Sequence, residues 1–120
     1  MSSERKVYLI SPYTDPDPLI MERRFLYARE AVAQMTQKGT FVFSPIVYSH
    51  ELAKCRDFPR DFEFWQSFNR SWIAWCTEVS SLMIEGWRHS VGGQAEREHA
   101  KAIRKQLNYS MFAENGELIF

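Results

Sequence analysis

The sequence predicts an α/β domain with helices on both faces of a mainly parallel sheet, and three observations carry that expectation. Short apolar runs at 7–10, 40–43 and 79–84 alternate with longer segments of helical periodicity. Each run stops at turn-forming residues: Ser11-Pro12, Ser44-Pro45 and Gly86. At 120 residues the chain is long enough for one core and too short for two, so residues 1–120 form a single domain.

Val7-Tyr8-Leu9-Ile10 reads as a central strand, closed by the turn Ser11-Pro12-Tyr13. Asp17 and Pro18 then suit the cap and first residue of a helix. Met21, Phe25, Ala28, Val32 and Met35 step by four, three, four and three along one face of that helix, and Gly39 ends it. Thr40-Phe41-Val42-Phe43 is a second strand. Ile46 to Glu51 are expected in the loop after it, bringing His50 to the same sheet end as Ser11, Pro12 and Tyr13, where it could donate a proton or bind a sugar hydroxyl.

From Phe58, the residues Phe62, Trp65, Phe68, Trp72 and Trp75 fit another helix, widened by Ile73 and Cys76. A helix apolar over more than one face has more than one face to bury. The segment Phe62–Trp75 is therefore expected to pack on the sheet and on a second copy of the chain, giving a dimer or tetramer. Asp57 and Asp61 precede or open it, as caps or as pocket residues.

The third strand leads into Gly86-Trp87-Arg88-His89-Ser90-Val91-Gly92-Gly93-Gln94-Ala95-Glu96, a loop running into a helix, and in open α/β sheets ligands bind at such loops. Glu96, Ala100, Ile103 and Leu107 recur at helical spacing, which makes Glu96 the acidic member of a stripe facing the sheet. Gly92 and Gly93 allow a ligand close to free backbone N–H groups, and Ser90 adds a hydroxyl. Beyond this helix, Tyr109 to Phe112 and Glu117 to Phe120 flank Asn115-Gly116, a reversing pair, so a fourth strand and a short antiparallel terminal one are expected. The whole reads as a three-layer Rossmann/flavodoxin-like fold of four to five strands, order 2-1-3-4 with the last strand at the edge.

Composition narrows the function. Fifteen basic against fifteen acidic residues disfavour a nucleic-acid groove. Cys55 and Cys76 lack C-x-x-C or metal spacing, His50, His89 and His99 show no ligand pattern, and no metal or cofactor is expected. Without a signal-peptide core or an apolar run of eighteen residues, no membrane partner is expected either, and the chain reads as cytoplasmic.

Two segments together resemble a known family. Tyr8-Leu9-Ile10-Ser11-Pro12-Tyr13 is similar to the opening of the nucleoside 2-deoxyribosyltransferase-like superfamily, where a first strand enters a Gly-Pro-Tyr-type loop. Ser90 to Glu96, with Ala100 following, resembles its second signature, a small-residue loop leading to the catalytic glutamate. Gly86-Trp87 and Phe43-Ser44-Pro45-Ile46 look closer still to a bacterial branch of unestablished function. The likeness runs from residue 7 to about residue 107.

The resemblance implies that Glu96 attacks C1′ of a (deoxy)ribosyl group to give a covalent glycosyl-enzyme, with Tyr13 orienting that carboxylate or touching the sugar. Ser11, Pro12, His50, Asp61, Trp87, Ser90, Gly92 and Gly93 are then the expected substrate contacts. Serine at 90, where deoxyribosyltransferases generally carry an acid, is similar to the deoxynucleoside 5′-monophosphate N-glycosidases and points to a phosphorylated substrate over a free nucleoside. The expected activity is cleavage or transfer at the N-glycosidic bond of a nucleotide or nucleoside. The alternative is a protein of the same fold that binds a nucleotide without turning it over.

Overall fold

A computed structural model describes residues 4–59 and 62–120. Five strands form one sheet in the order β2-β1-β3-β4-β5: β1 (Lys6–Ile10), β2 (Phe41–Phe43), β3 (Glu78–Leu82), β4 (Gln106–Phe112) and β5 (Leu118–Ile119). The first four are parallel, with Tyr8 paired to Phe43 on one side and Val79 on the other, and β5 alone runs antiparallel. The expected α/β fold and strand order are thus observed.

Alternation along β1 builds a core on each face. Val7 and Leu9 pack with Ala31 and Met35 of α1 (Pro18–Gln37), and with Leu82 and Leu118. Tyr8 and Ile10 point the other way, into a cluster with Ile73 of α3 (Phe62–Trp75), Cys76, Val79 and Ala100 of α4 (Val91–Ala102). Every residue from Val7 to Ile10 is buried, as a strand covered on both sides requires. The cap expected on α1 is present, with the Asp17 side chain accepting from Leu19 N at 2.9 Å.

Residues 46–51 are not a loop. They belong to α2 (Pro45–Cys55), because the Ser44-Pro45 pair that stops β2 also starts a helix: Ser44 Oγ accepts from Val47 N at 3.1 Å and proline takes the first helical position. His50 therefore sits on a helix. The stripe drawn through Ile103 and Leu107 also needs correction, since α4 ends at Ala102. Arg104 turns the chain with φ 62°, Ile103 is 40% exposed, and Leu107 enters β4, which starts earlier than expected. Only Glu96 and Ala100 of that stripe share the inner helix face.

The topology fixes where a ligand can sit. β1 connects to β2 on one side of the sheet and pairs with β3 on the other, so the switch point lies at the carboxyl ends of β1 and β3. Both connecting loops gather there, and Arg24 of α1 holds the first of them with its guanidinium end close to Gly86 of the second. Its Nη1 donates to the carbonyls of Thr14 at 3.0 Å and Tyr13 at 3.4 Å. At Gly86, which has φ +91°, an added Cβ would lie 2.6 Å from Arg24 Nη2. Conformation favours glycine at 86, and any side chain there would also displace the end of Arg24.

Candidate functional site

α3 and α4 descend the same sheet face in parallel, each starting near the carboxyl ends of the strands. Ile73 of α3 and Ala100 of α4 are both fully buried in one cluster against the sheet. One turn earlier on each helix stand Asn69 and Glu96. Between them is a cavity of about 130 Å³. α3 lines it with Trp65, Gln66, Asn69, Arg70 and Ile73, and α4 with Gly92, Ala95, Glu96 and His99. Trp65 is held in place by its Nε1, which donates to Pro59 O at 2.8 Å.

Glu96 is not spent in a surface ion pair. Its Oε2 is sealed from solvent and, among the described residues, has no hydrogen-bond partner. Burial raises its pKa from 4.5 to about 7, opposed by the nearby Tyr8 hydroxyl and, more weakly, by the charge of Arg97. The Tyr8 hydroxyl lies close to this carboxyl without completing a hydrogen bond to it, and Tyr8 Oη too has no partner among the described residues. Burial, followed by the proximity of Glu96, drives the phenol's own pKa up, so Tyr8 stays protonated as a potential donor. Asn69 Oδ1 is a further buried atom without a partner among the described residues. Burial and the neighbouring charge of Arg70 lower the pKa of His99. The wall thus offers a carboxyl poised between its two forms, an amide and an imidazole biased towards neutrality, with the Tyr8 phenol close to the carboxyl.

Residues 5–113 match the family described as "Domain of unknown function (DUF1937)". The chain belongs to that family. The matched span of the DUF1937 protein runs from the start of β1 through β4 and contains every residue lining the Glu96 cavity. No curated protein matches the chain.

The remaining sequence-predicted residues of this DUF1937 protein fall into separate groups. Tyr13 and His50 do not line the Glu96 cavity. The Tyr13 hydroxyl lies 2.7 Å from His50 Nδ1, and His50 Nε2 lies 3.0 Å from Glu22 Oε2, with the imidazole stacked on Phe25 at 3.9 Å. An imidazole that donates to the carboxylate through Nε2 accepts the phenol's proton at Nδ1, which makes a Tyr–His–Glu line across the β1 loop, α2 and α1. Burial and the Glu22 charge raise the Tyr13 pKa.

Ser11 and Pro12 are buried at the start of that loop, Ser11 Oγ without a partner among the described residues. Ser90 caps α4, its Oγ accepting from Gly93 N at 3.1 Å, so any anion would compete with the cap for this hydroxyl. A Cβ at Gly93 would come within 3.3 Å of Ile10 Cγ2, whereas one at Gly92 would meet nothing within 4 Å. Trp87 lies on a short 3₁₀ turn, edge-on to Tyr109 with Arg88 and Arg97 against its ring. Asp57 is exposed, and Asp61 lies outside the described residues.

Sequence reasoning missed Tyr8, Asn69, Arg70 and His99. His99 was within reach, standing three residues after Glu96 on the same helix face. Tyr8 was hidden in a run read purely as core. No signal marked Asn69, which becomes a site residue only through the pairing of α3 with α4. Among the described residues, no group of three or more His, Cys, Asp or Glu could hold a metal ion, and no helix is long and apolar enough to cross a membrane.

Proposed function

We propose that this DUF1937 protein cleaves or transfers the N-glycosidic bond of a nucleotide or nucleoside through a covalent glycosyl-Glu96 intermediate. One observation carries the reading: a glutamate carboxyl in the wall of a cavity, with no ion-pair partner among the described residues and a phenol close to it. A carboxylate both stabilises an oxocarbenium-like transition state and captures it. As the C1′–N bond breaks, its electron pair leaves with the base, which takes up a proton, and a Glu96 oxygen bonds to C1′. Water, or an acceptor hydroxyl or base, then attacks C1′, loses a proton, and releases Glu96 as carboxylate. His99, held towards its neutral form at the cavity wall, suits the role of base in this second step.

Ligand pockets commonly hold roughly 300–1,000 Å³. At about 130 Å³ this cavity suits the sugar ring alone, with base and phosphate at its mouth. The free thiols Cys55 and Cys76 accord with a reducing, cytoplasmic setting. Exposed Trp75 and Tyr48 continue the aromatic surface of α2 and α3, which we take as the contact between copies in a homo-oligomer.

A second reading keeps the same ligand class without turnover. It is favoured by the raised pKa of Glu96, since a protonated carboxyl donates a hydrogen bond to a bound nucleotide and does not attack it. Incubating wild type, Glu96→Ala and Glu96→Gln with nucleosides and nucleoside 5′-monophosphates, with free base measured by chromatography and adducts by intact mass, separates the two. The enzyme reading expects base release that falls at least about 10³-fold in both variants. Binding in all three proteins with no base released would establish the other.

A further inference from the structure

We propose that Asn69 is the residue that reads the sugar, accepting a hydrogen bond from a hydroxyl on the carbon next to the one Glu96 addresses, so that the site selects ribosyl over 2-deoxyribosyl compounds. The inference rests on the reading that Glu96 faces C1′.

Three polar atoms lack partners among the described residues: Glu96 Oε2 and Asn69 Oδ1, both on residues of the cavity wall, and Tyr8 Oη, close to Glu96. A buried polar atom left unpaired is costly, and three together mark a site that completes its bonds with something else. Two of them are placed by equivalent means. Asn69 and Glu96 each stand four residues before a fully buried anchor, Ile73 or Ala100, on neighbouring parallel helices seated on one sheet face. Their side chains therefore meet the cavity at the same level. In a space of about 130 Å³ there is no room for a long spacer between the atom that Glu96 contacts and the atom that Asn69 contacts. If Glu96 addresses C1′, the group beside it is the one carried by C2′.

The chemistry of that group follows from the wall. An amide oxygen requires a donor, and its NH₂ end offers a donor in return, a combination that a hydroxyl satisfies from both sides. Trp65, Ile73 and Ala95 supply apolar surface for the C–H face of a ring. A site built to bond a hydroxyl discriminates strongly against the analogue lacking it, because the amide is then left buried and unpaired.

The test compares the four common ribonucleoside 5′-monophosphates with their 2′-deoxy counterparts, by calorimetric binding and by base release, on wild type, Asn69→Ala and Asn69→Leu. Wild type is expected to favour the ribo series on the order of 10-fold or more, and both variants to bring the ratio close to one while keeping the thermal transition cooperative. Equal or better use of the deoxy series by wild type overturns the proposal, and so does a loss in the variants that falls equally on both series. Ribo-selective binding that depends on Asn69, without any base release, supports this inference while refuting the glycosidase reading. Base release that is blind to the 2′ position does the reverse. Neither binding nor release with any of the eight compounds refutes both.

Discussion

Replacing Glu96 by glutamine gives the most direct measure of what the buried carboxyl costs the fold. The side chain keeps its shape and loses its ionisation. In the native protein the carboxyl titrates at about 7, against an ordinary 4.5. Below pH 4.5 it is protonated whether the chain is folded or not, and it adds no pH dependence. Between 4.5 and about 7 the unfolded chain releases the proton while the native chain retains it, so the native state binds more protons and stability falls as pH rises. Above about 7 the loss is complete. Its ceiling is about 3 kcal/mol, reduced to the extent that water in the cavity reaches the other oxygen. Glu96→Gln should therefore match wild type near pH 4.5 and exceed it by roughly 2–3 kcal/mol at pH 8, which is roughly 10 °C in Tm for a domain of this size. Urea titrations of both proteins at half-unit intervals from pH 4.5 to 8 measure the difference. A gap that stays constant across that range would mean that Glu96 is as well solvated in the folded chain as in the unfolded one, and the argument for its raised pKa would fail.

The amide at position 69 should behave in a related way without any pH dependence: Asn69→Leu removes an unpartnered buried polar group and should raise stability by about 1 kcal/mol in the same urea assay. Gly86→Ala should cost about 1–3 kcal/mol, because the backbone at φ +91° is strained for alanine and the new Cβ meets Arg24; pairing it with Arg24→Ala should recover the steric share alone, as a double-mutant cycle would reveal. If the aromatic surface joins two copies, light scattering on the wild type should give a multiple of 14.2 kDa and Trp75→Glu the mass of one chain. A wild type that is already monomeric ends that proposal.

Much of this fold was legible because its signals are local. Asp17-Pro18 opens α1, four consecutive apolar residues make β1, and Gly116, at φ +87°, turns the chain before β5. Ser44-Pro45 misled because a breaker of one element is also a starter of the next, and pattern alone does not say whether a helix follows. The overextended stripe through Ile103 and Leu107 failed for another reason. Apolar spacing cannot register Arg104, a residue of ordinary helical propensity that takes a left-handed conformation to join α4 to β4. The candidate site was legible only as far as Glu96, whose acidity stands out on a helix face otherwise committed to the sheet. Its companions Tyr8 and Asn69 come from elements 61 residues apart in the chain, and only packing brings both of them to Glu96. Tyr13 was expected beside Glu96, yet its hydroxyl is engaged by His50.

The proton on Glu96 decides between the two functional readings, and the decision can be read from pH alone. A nucleophile must be ionised, so kcat/KM for base release should rise with pH through about 7 and level off above it, reporting the free protein's carboxyl. Tyr8 and Arg97 both act in that direction, since each favours the charged form and opposes burial. A ligand that places positive charge at C1′ adds to them and should expel the proton on binding. A binder that uses the acid as a donor needs the opposite, with affinity greatest below pH 7 and a proton taken up when binding is measured above it. Calorimetry in two buffers of different ionisation enthalpy gives the sign of that proton transfer at pH 7, where the empty site is close to half-protonated and free to change in either direction. Proton release together with a rising rate profile belongs to catalysis by Glu96. Proton uptake with no turnover means that the carboxyl is kept buried for recognition, and that the strain it imposes on the fold serves affinity.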